Sequence, residues 1–224
     1  MLDCVARFHY LFVMSASDSH NAQTIVANDA FSSGQIGSKI WLCDELERIF
    51  QDRPEKLKTR GETVWIYGGW QGALGLLMLS RSSSSAFASA IDKVRSFDID
   101  PACADVANVI CENWVWREWK FRAFTKDCNE LNPAENGEYG RRATVVVNTS
   151  VEHFESREWF EKIPEGTLVV LQASDFEHNG AVSLFTTEAD LAAAFPLRET
   201  LFIGRLNFAY GSWSFNRLML IGRR

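Results

Sequence analysis

The sequence has no cysteine pair spaced as CxxC, no apolar run long enough to cross a membrane, and no surplus of positive charge. Its five cysteines (Cys4, Cys43, Cys103, Cys111, Cys128) are odd in number and scattered. That pattern argues against a disulfide framework or a zinc site and for free thiols in a reducing compartment. A membrane-spanning helix needs roughly 20 apolar residues, and none is expected. The apolar N-terminal residues Phe8, Tyr10, Leu11, Phe12, Val13 and Met14 follow Asp3 and lack the basic segment of a secretory signal. A cytoplasmic location is therefore expected. The net charge of −6 argues against a broad nucleic-acid-binding face and leaves room only for a local basic patch.

Two phosphate-gripping patterns are also missing. The dinucleotide fingerprint G-x-G-x-x-G fails because Trp70 stands two residues after Gly68, and no Gly-Lys-Ser/Thr of a P-loop follows. What is present is VWIYGGWQGALG at Val64–Gly75. Four β-favouring residues run into a glycine cluster and then into a helix-forming stretch, which predicts a buried strand, a tight turn and a helix start. Bare glycines let a ligand approach the backbone, and helix N-termini offer unpaired N–H groups. Glycine-rich turns of this kind also serve simply to pack a helix on a sheet.

At 224 residues and 46% hydrophobic content, the chain suits one full-sized globular domain with a short appendage. Residues 1–60 read as a helical extension or cap, with an amphipathic helix over Gly37–Phe50 and a solvated link from Pro54 to Arg60. Such a segment is either a lid or a packed extension. Residues 61–224 read as alternating strands and helices. After the strand at Val64, strands are expected near Val94–Asp98, Phe121–Thr125, Ala143–Val147 and Thr167–Gln172. A hairpin of Glu199–Phe208 and Phe215–Gly222 closes the order. Asp100 and Pro101 should cap and open a helix, and Ser80–Ser85 should be a mobile surface loop. The predicted fold is α/β: a doubly wound, mostly parallel seven-stranded sheet with an antiparallel last strand, plus the N-terminal helical cap.

Right-handed crossovers put the C-terminal ends of parallel strands on one edge, where ligands bind. Four consecutive strand ends there carry Gly68-Gly69, Asp98, Asp127 and Asn148. Asp98 can accept two hydroxyl hydrogen bonds at once, as a ribose diol requires. Asp127 can accept from an exocyclic amine, and Ile99 can pack on a base. Taken singly, each carboxylate equally suits a helix cap or a turn.

These residues resemble the class I S-adenosylmethionine-dependent methyltransferases. Gly68-Gly69-Trp70-Gln71-Gly72 stands where that family has its glycine-rich motif, and Ser96–Pro101 is similar to its second-strand acidic motif. Asp127-Cys128 looks like its adenine-side acid, and Val147–His153 resembles its fourth strand and continuation. The likeness spans residues 61–222, with Ser38–Leu42 lying where such enzymes place a variable cap. It differs in having no acid before Gly68, Trp70 in place of the middle glycine, no Asn-Pro-Pro-Tyr after the fourth strand, and Asn148 where one subgroup has a metal-binding aspartate. The resemblance implies a Rossmann-like domain with S-adenosyl-L-methionine as cofactor and no metal. It implies cofactor contacts from Gly68, Gly69, Trp70, Gly72, Asp98, Ile99, Asp127, Cys128 and Asn148.

The expected activity is transfer of a methyl group to a small molecule, with an RNA or protein acceptor as the alternative. The rival readings are an inactive binding or regulatory module, and an enzyme using the same cofactor for other chemistry. Glu152 and His153 form a Glu-His pair near the expected site. His153 is the candidate general base, because a histidine titrates near working pH, and packing under the next helix is the other reading. Trp114–Arg122 interleaves aromatic and basic residues, as a nucleic-acid-binding stretch or a helix-to-strand junction would. In the tail, Tyr210, Trp213 and Asn216 are candidates to line an acceptor pocket.

Overall fold

The computed structural model describes residues 10–13, 24–56, 61–116, 119–176 and 181–224. Seven strands form one sheet in the order β5-β4-β3-β6-β7-β9-β8. They are β3 (Glu62–Tyr67), β4 (Ile91–Asp98), β5 (Phe121–Thr125), β6 (Val145–Asn148), β7 (Leu168–Ser174), β8 (Glu199–Tyr210) and β9 (Trp213–Arg223). The pairs among β3 to β7 are parallel, while β9 runs antiparallel to both β7 and β8. This is the expected doubly wound sheet with a reversed last strand. A separate hairpin pairs β1 (Tyr10–Val13) with β2 (Thr24–Ala27), so the helical reading of the first 60 residues holds for only part of them.

Burial is continuous along β3, β6 and β7, as it must be when both faces of a sheet are covered, and successive side chains alternate between the two faces. Val64, Ile66, Val145, Val147, Leu168, Val170, Met219 and Ile221 face one core. That core also takes Leu42, Cys43, Leu46, Ile49 and Phe50 from α1 (Ser33–Asp52), and Leu74, Met78 and Leu79 from α2 (Ala73–Ser80). Trp65, Tyr67, Val146, Val169, Leu171, Leu218 and Leu220 face the other, with Trp159, Leu191 and Phe195. Helix α1 is therefore one layer of the sandwich rather than an ornament. It starts earlier than its apolar spacing suggests because Ser32 caps it, its Oγ accepting the Gln35 N–H at 3.4 Å.

The serine stretch is more ordered than a mobile loop. Ser85 caps α3 (Ala86–Ala90) by accepting the Ala88 N–H at 3.1 Å, and the Glu47 carboxylate accepts the N–H groups of Ala86 and Phe87. Asp100 caps α4 (Pro101–Ile110) at 2.9 Å with Pro101 in its first turn, as expected. Past α5 (Glu112–Val115), Trp114 packs against the core while Trp116 and Trp119 are exposed. The Arg122 guanidinium lies 4.1 Å above the Trp119 ring.

Candidate functional site

At the C-terminal end of β3 the backbone reverses through Gly68 (φ 60°), Trp70 (φ 46°) and Gly72 (φ 81°) before α2 begins. Trp70 occupies a left-handed conformation that costs an L-residue about 1–2 kcal/mol. The turn is held from the side by the end of β4. The Gly69 N–H donates to the Phe97 carbonyl at 3.0 Å, and the Trp70 N–H donates to Asp98 Oδ2 at 2.8 Å. A Cβ at Gly69 would stand 1.9 Å from Ser96 Oγ, so any side chain there would have to displace that hydroxyl.

Asp98 Oδ1 accepts the Asp100 N–H at 3.1 Å. Each Asp98 oxygen thus carries one of these backbone donors, and a carboxylate oxygen has room for a second. Ile99 beside it is 70% exposed. On the next strand end, Asp127 Oδ1 caps the short turn Cys128–Glu130 by accepting the Asn129 N–H at 2.8 Å. The Cys128 thiol is buried and pushed up to about 12 by that burial, partly opposed by a hydrogen bond with the Gly68 backbone. On β6, Asn148 Oδ1 accepts the Ser150 N–H at 2.9 Å, and its buried Nδ2 has no partner among the described residues. Gly72 faces α4, where its Cβ would meet Ala107 at 2.9 Å, so its role is packing as much as ligand approach. Tyr67 is a core residue, and burial raises its hydroxyl above its ordinary range.

Further along the same edge, the Glu-His pair divides. Glu152 is buried and ion-paired, with the Arg217 Nη1 donating to its Oε1 at 3.1 Å. Its carbonyl accepts the Val182 and Ser183 N–H groups at 2.8 and 3.1 Å. His153 is exposed. A third charged group, Lys39 of α1, is buried nearby and donates to Gln35 Oε1 at 2.7 Å. Burial first, and then the charge of Arg217, bring Lys39 down to about 7, with Asp29 and Glu152 acting in the opposite direction. Gln172 of β7 ties α1 to the sheet by donating to the Ser38 carbonyl at 2.9 Å.

The hairpin tip closes this end. Tyr210 stacks on Trp213 at 4.8 Å, and its hydroxyl lies 3.0 Å from Ser33 Oγ at the start of α1. Asn216 is bound to Asp175, its N–H and its Nδ2 each donating to a carboxylate oxygen at 2.6 Å. Lys39 and Arg217 carry no motif, and their convergence on Glu152 depends on the placement of α1 and β9.

The strand order, the reversed β9 and the glycine turn leading from β3 into α2 define the fold of the class I S-adenosylmethionine-dependent methyltransferases. No family model matches the sequence, and no curated protein matches it either. Among solved structures, the N-methyltransferase NodS from Bradyrhizobium japonicum WM9, in complex with S-adenosyl-L-homocysteine, is similar at a TM-score of 0.57. That match has 10% identity and covers 86% of this chain and 89% of that one. Magnesium protoporphyrin IX methyltransferase from Synechocystis PCC 6803, with bound S-adenosylmethionine, gives a TM-score of 0.52 at 14% identity, covering 84% and 81% of the two chains. Geranyl diphosphate C-methyltransferase from Streptomyces coelicolor A3(2) gives 0.52 at 15% identity, covering 88% and 86%. At these identities the likeness is one of fold.

Proposed function

We propose that this chain is an S-adenosylmethionine-dependent methyltransferase acting on a small molecule. The observation that carries this reading is the Asp98 carboxylate, fixed on the Trp70 N–H at 2.8 Å beside two glycines without side chains. The residues fit the cofactor. Asp98 has acceptor capacity left for the two ribose hydroxyls, Ile99 offers an exposed apolar surface to the adenine, and Asp127 stands at the neighbouring strand end for its amine. The solved neighbours named above include complexes with S-adenosylmethionine or its demethylated product, which supports the same cofactor here.

When bound, S-adenosylmethionine supplies a methyl group that is already activated for displacement. This chain's residues then have to position the acceptor and exclude water. His153, exposed at the ligand edge directly after the anchored Glu152, is the group proposed to take the acceptor's proton on its imidazole. Glu152, buried against Arg217, is better suited to holding the turn that carries His153 than to moving protons itself. The cytoplasmic reading keeps the support of the unpaired thiols of Cys43, Cys103, Cys111 and Cys128.

Calorimetric titration with S-adenosylhomocysteine tests the reading, with binding expected for the natural protein. Loss of binding by both cofactor forms would sink it and favour a binding module, the alternative to which the Trp70 side chain in the turn lends weight. Detection of methylthioadenosine instead of S-adenosylhomocysteine as product would favour the other chemistry. His153→Ala should lower kcat about 10²–10⁴-fold with cofactor affinity unchanged, and full turnover in that variant would remove His153 from the mechanism.

A further inference from the structure

Lys39, Arg217 and Glu152 are 7%, 9% and 1% exposed, so two basic side chains are enclosed with one acid. A buried charge is normally paired, and removing one from water without a partner costs more than any surface ion pair returns. Here the count is unequal. Arg217 is paired with Glu152, while among the described residues Lys39 Nζ donates only to the neutral oxygens of Gln35, at 2.7 and 3.5 Å. Glu152 Oε2 and Arg217 Nε are enclosed and make no hydrogen bond among the described residues. Asp29, in the turn before α1, is the other acid that acts on Lys39.

A second observation lies against the first. Phe215 sits 5.7 Å from the Arg217 guanidinium, and it leads out through Trp213 and Phe176, which are 50% and 45% exposed. Trp213 and Phe215 lie near parallel at 17° with Phe176 tilted 41° to Trp213, and these rings form an apolar rim at the tip of the β8–β9 hairpin, on the ligand edge and against the first turn of α1. Gly34 and Gly37 allow that contact, since a Cβ at Gly37 would stand 2.8 Å from the Phe208 ring. Enclosed cationic surplus and exposed aromatic rim are continuous through Arg217 and Phe215.

We propose that the acceptor taken at this end of the site is a small acid with a flat apolar body, its carboxylate held by Lys39 and Arg217 and its ring by Trp213 and Phe176. The proposal rests on the methyltransferase reading for the word acceptor, while the binding chemistry stands on the charged cluster itself. The carboxylate replaces the Gln35 amide as the partner of Lys39 Nζ and supplies a second enclosed negative charge beside Glu152, which no other described residue does, Asp29 being exposed. Lys39 is brought down to about 7 in the protein alone, so an anion beside it draws a proton onto its amine. Affinity for the acid is then greatest below that value and declines as pH rises through it.

The test is calorimetric titration of the full chain with benzoate and with its uncharged counterpart benzamide, with and without saturating S-adenosylhomocysteine. Benzoate should bind about tenfold or more tighter than benzamide, and its affinity should fall between about pH 6 and about pH 8 while that of benzamide stays level. Lys39→Met should abolish the pH slope and reduce the preference to what Arg217 alone supplies. Trp213→Ala should weaken both compounds and leave their ratio unchanged. Equal affinity for the two compounds, no binding of benzoate at millimolar concentration, or a preference and pH slope undiminished in Lys39→Met would each overturn the proposal. If S-adenosylhomocysteine binds and benzoate does not, this inference alone fails. If benzoate binds with the stated preference and S-adenosylhomocysteine does not, the anion site stands and the methyltransferase reading falls.

Discussion

At the Gly68–Asp98 end of the ligand edge, the contacts join residues of one turn or of neighbouring strands. Trp70 meets Asp98 because β3 and β4 run side by side in register, with Tyr67 opposite Phe97. At the Glu152–Arg217 end, the partners come from α1, from the turn after β6 and from β9, which are far apart in the chain. The first end is made largely of backbone donors and one carboxylate open to more hydrogen bonds, so it has little to lose in stability if altered. The second is made of enclosed charges, so it has much to lose. On the proposed reading, binding capacity and structural cost are thereby separated along one sheet edge.

The separation can be broken most forcefully at Glu152. Glu152→Ala leaves Arg217 enclosed without its counter-charge and should cost about 3–5 kcal/mol in urea unfolding. The double variant Glu152→Leu with Arg217→Met should recover most of that loss, because a buried ion pair replaced by apolar side chains is often neutral. At the other end, Asp98→Asn should weaken S-adenosylhomocysteine about 10–100-fold in calorimetry, the worth of one or two charge-assisted hydrogen bonds. Its unfolding free energy should change by less than about 1 kcal/mol.

Lys39 sharpens the comparison through pH. Its folded value of about 7 lies below its ordinary 10.5, so the unfolded chain binds more protons than the folded one between those values. Stability should therefore rise with pH across that window, by at most about 1.4 kcal/mol per unit for one proton. Lys39→Met should flatten this rise in unfolding experiments run at several pH values. The smallest effect is expected at Asp100, whose carboxylate caps α4. Asp100→Ala should cost about 1 kcal/mol in stability and leave cofactor binding intact, which would separate the work of the two acids of Asp98-Ile99-Asp100.

The same contrast explains what could be read from the sequence. The glycine turn, the strand ends at Asp98, Asp127 and Asn148, and the Asp100-Pro101 cap all follow from residues within a few positions of one another. Local patterning is enough to find them. The unbroken apolar run Val145-Val146-Val147 marks β6 because both faces of that strand are covered. The pairing of Tyr10–Val13 with Thr24–Ala27 was missed, since apolar residues near a chain start fit a strand as readily as a helix. Ser80–Ser85 looked like a loop because the acid that orders it, Glu47, comes from another helix. Lys39 and Arg217 had no local signal at all. A lysine in an amphipathic helix and an arginine in a strand are ordinary surface residues until β9 inserts between β7 and β8 and brings them inside.

That insertion sets a timetable. A polypeptide emerges from the ribosome N-terminus first and begins to fold as it emerges. Every side chain named for holding the nucleoside lies at or before Asn148, while Arg217 belongs to a strand threaded between two earlier ones. During synthesis Glu152 is therefore made well before its counter-ion Arg217, and the two meet only once the β8–β9 hairpin has been added. The hairpin that completes the sheet is then also the step that seals the charged interior.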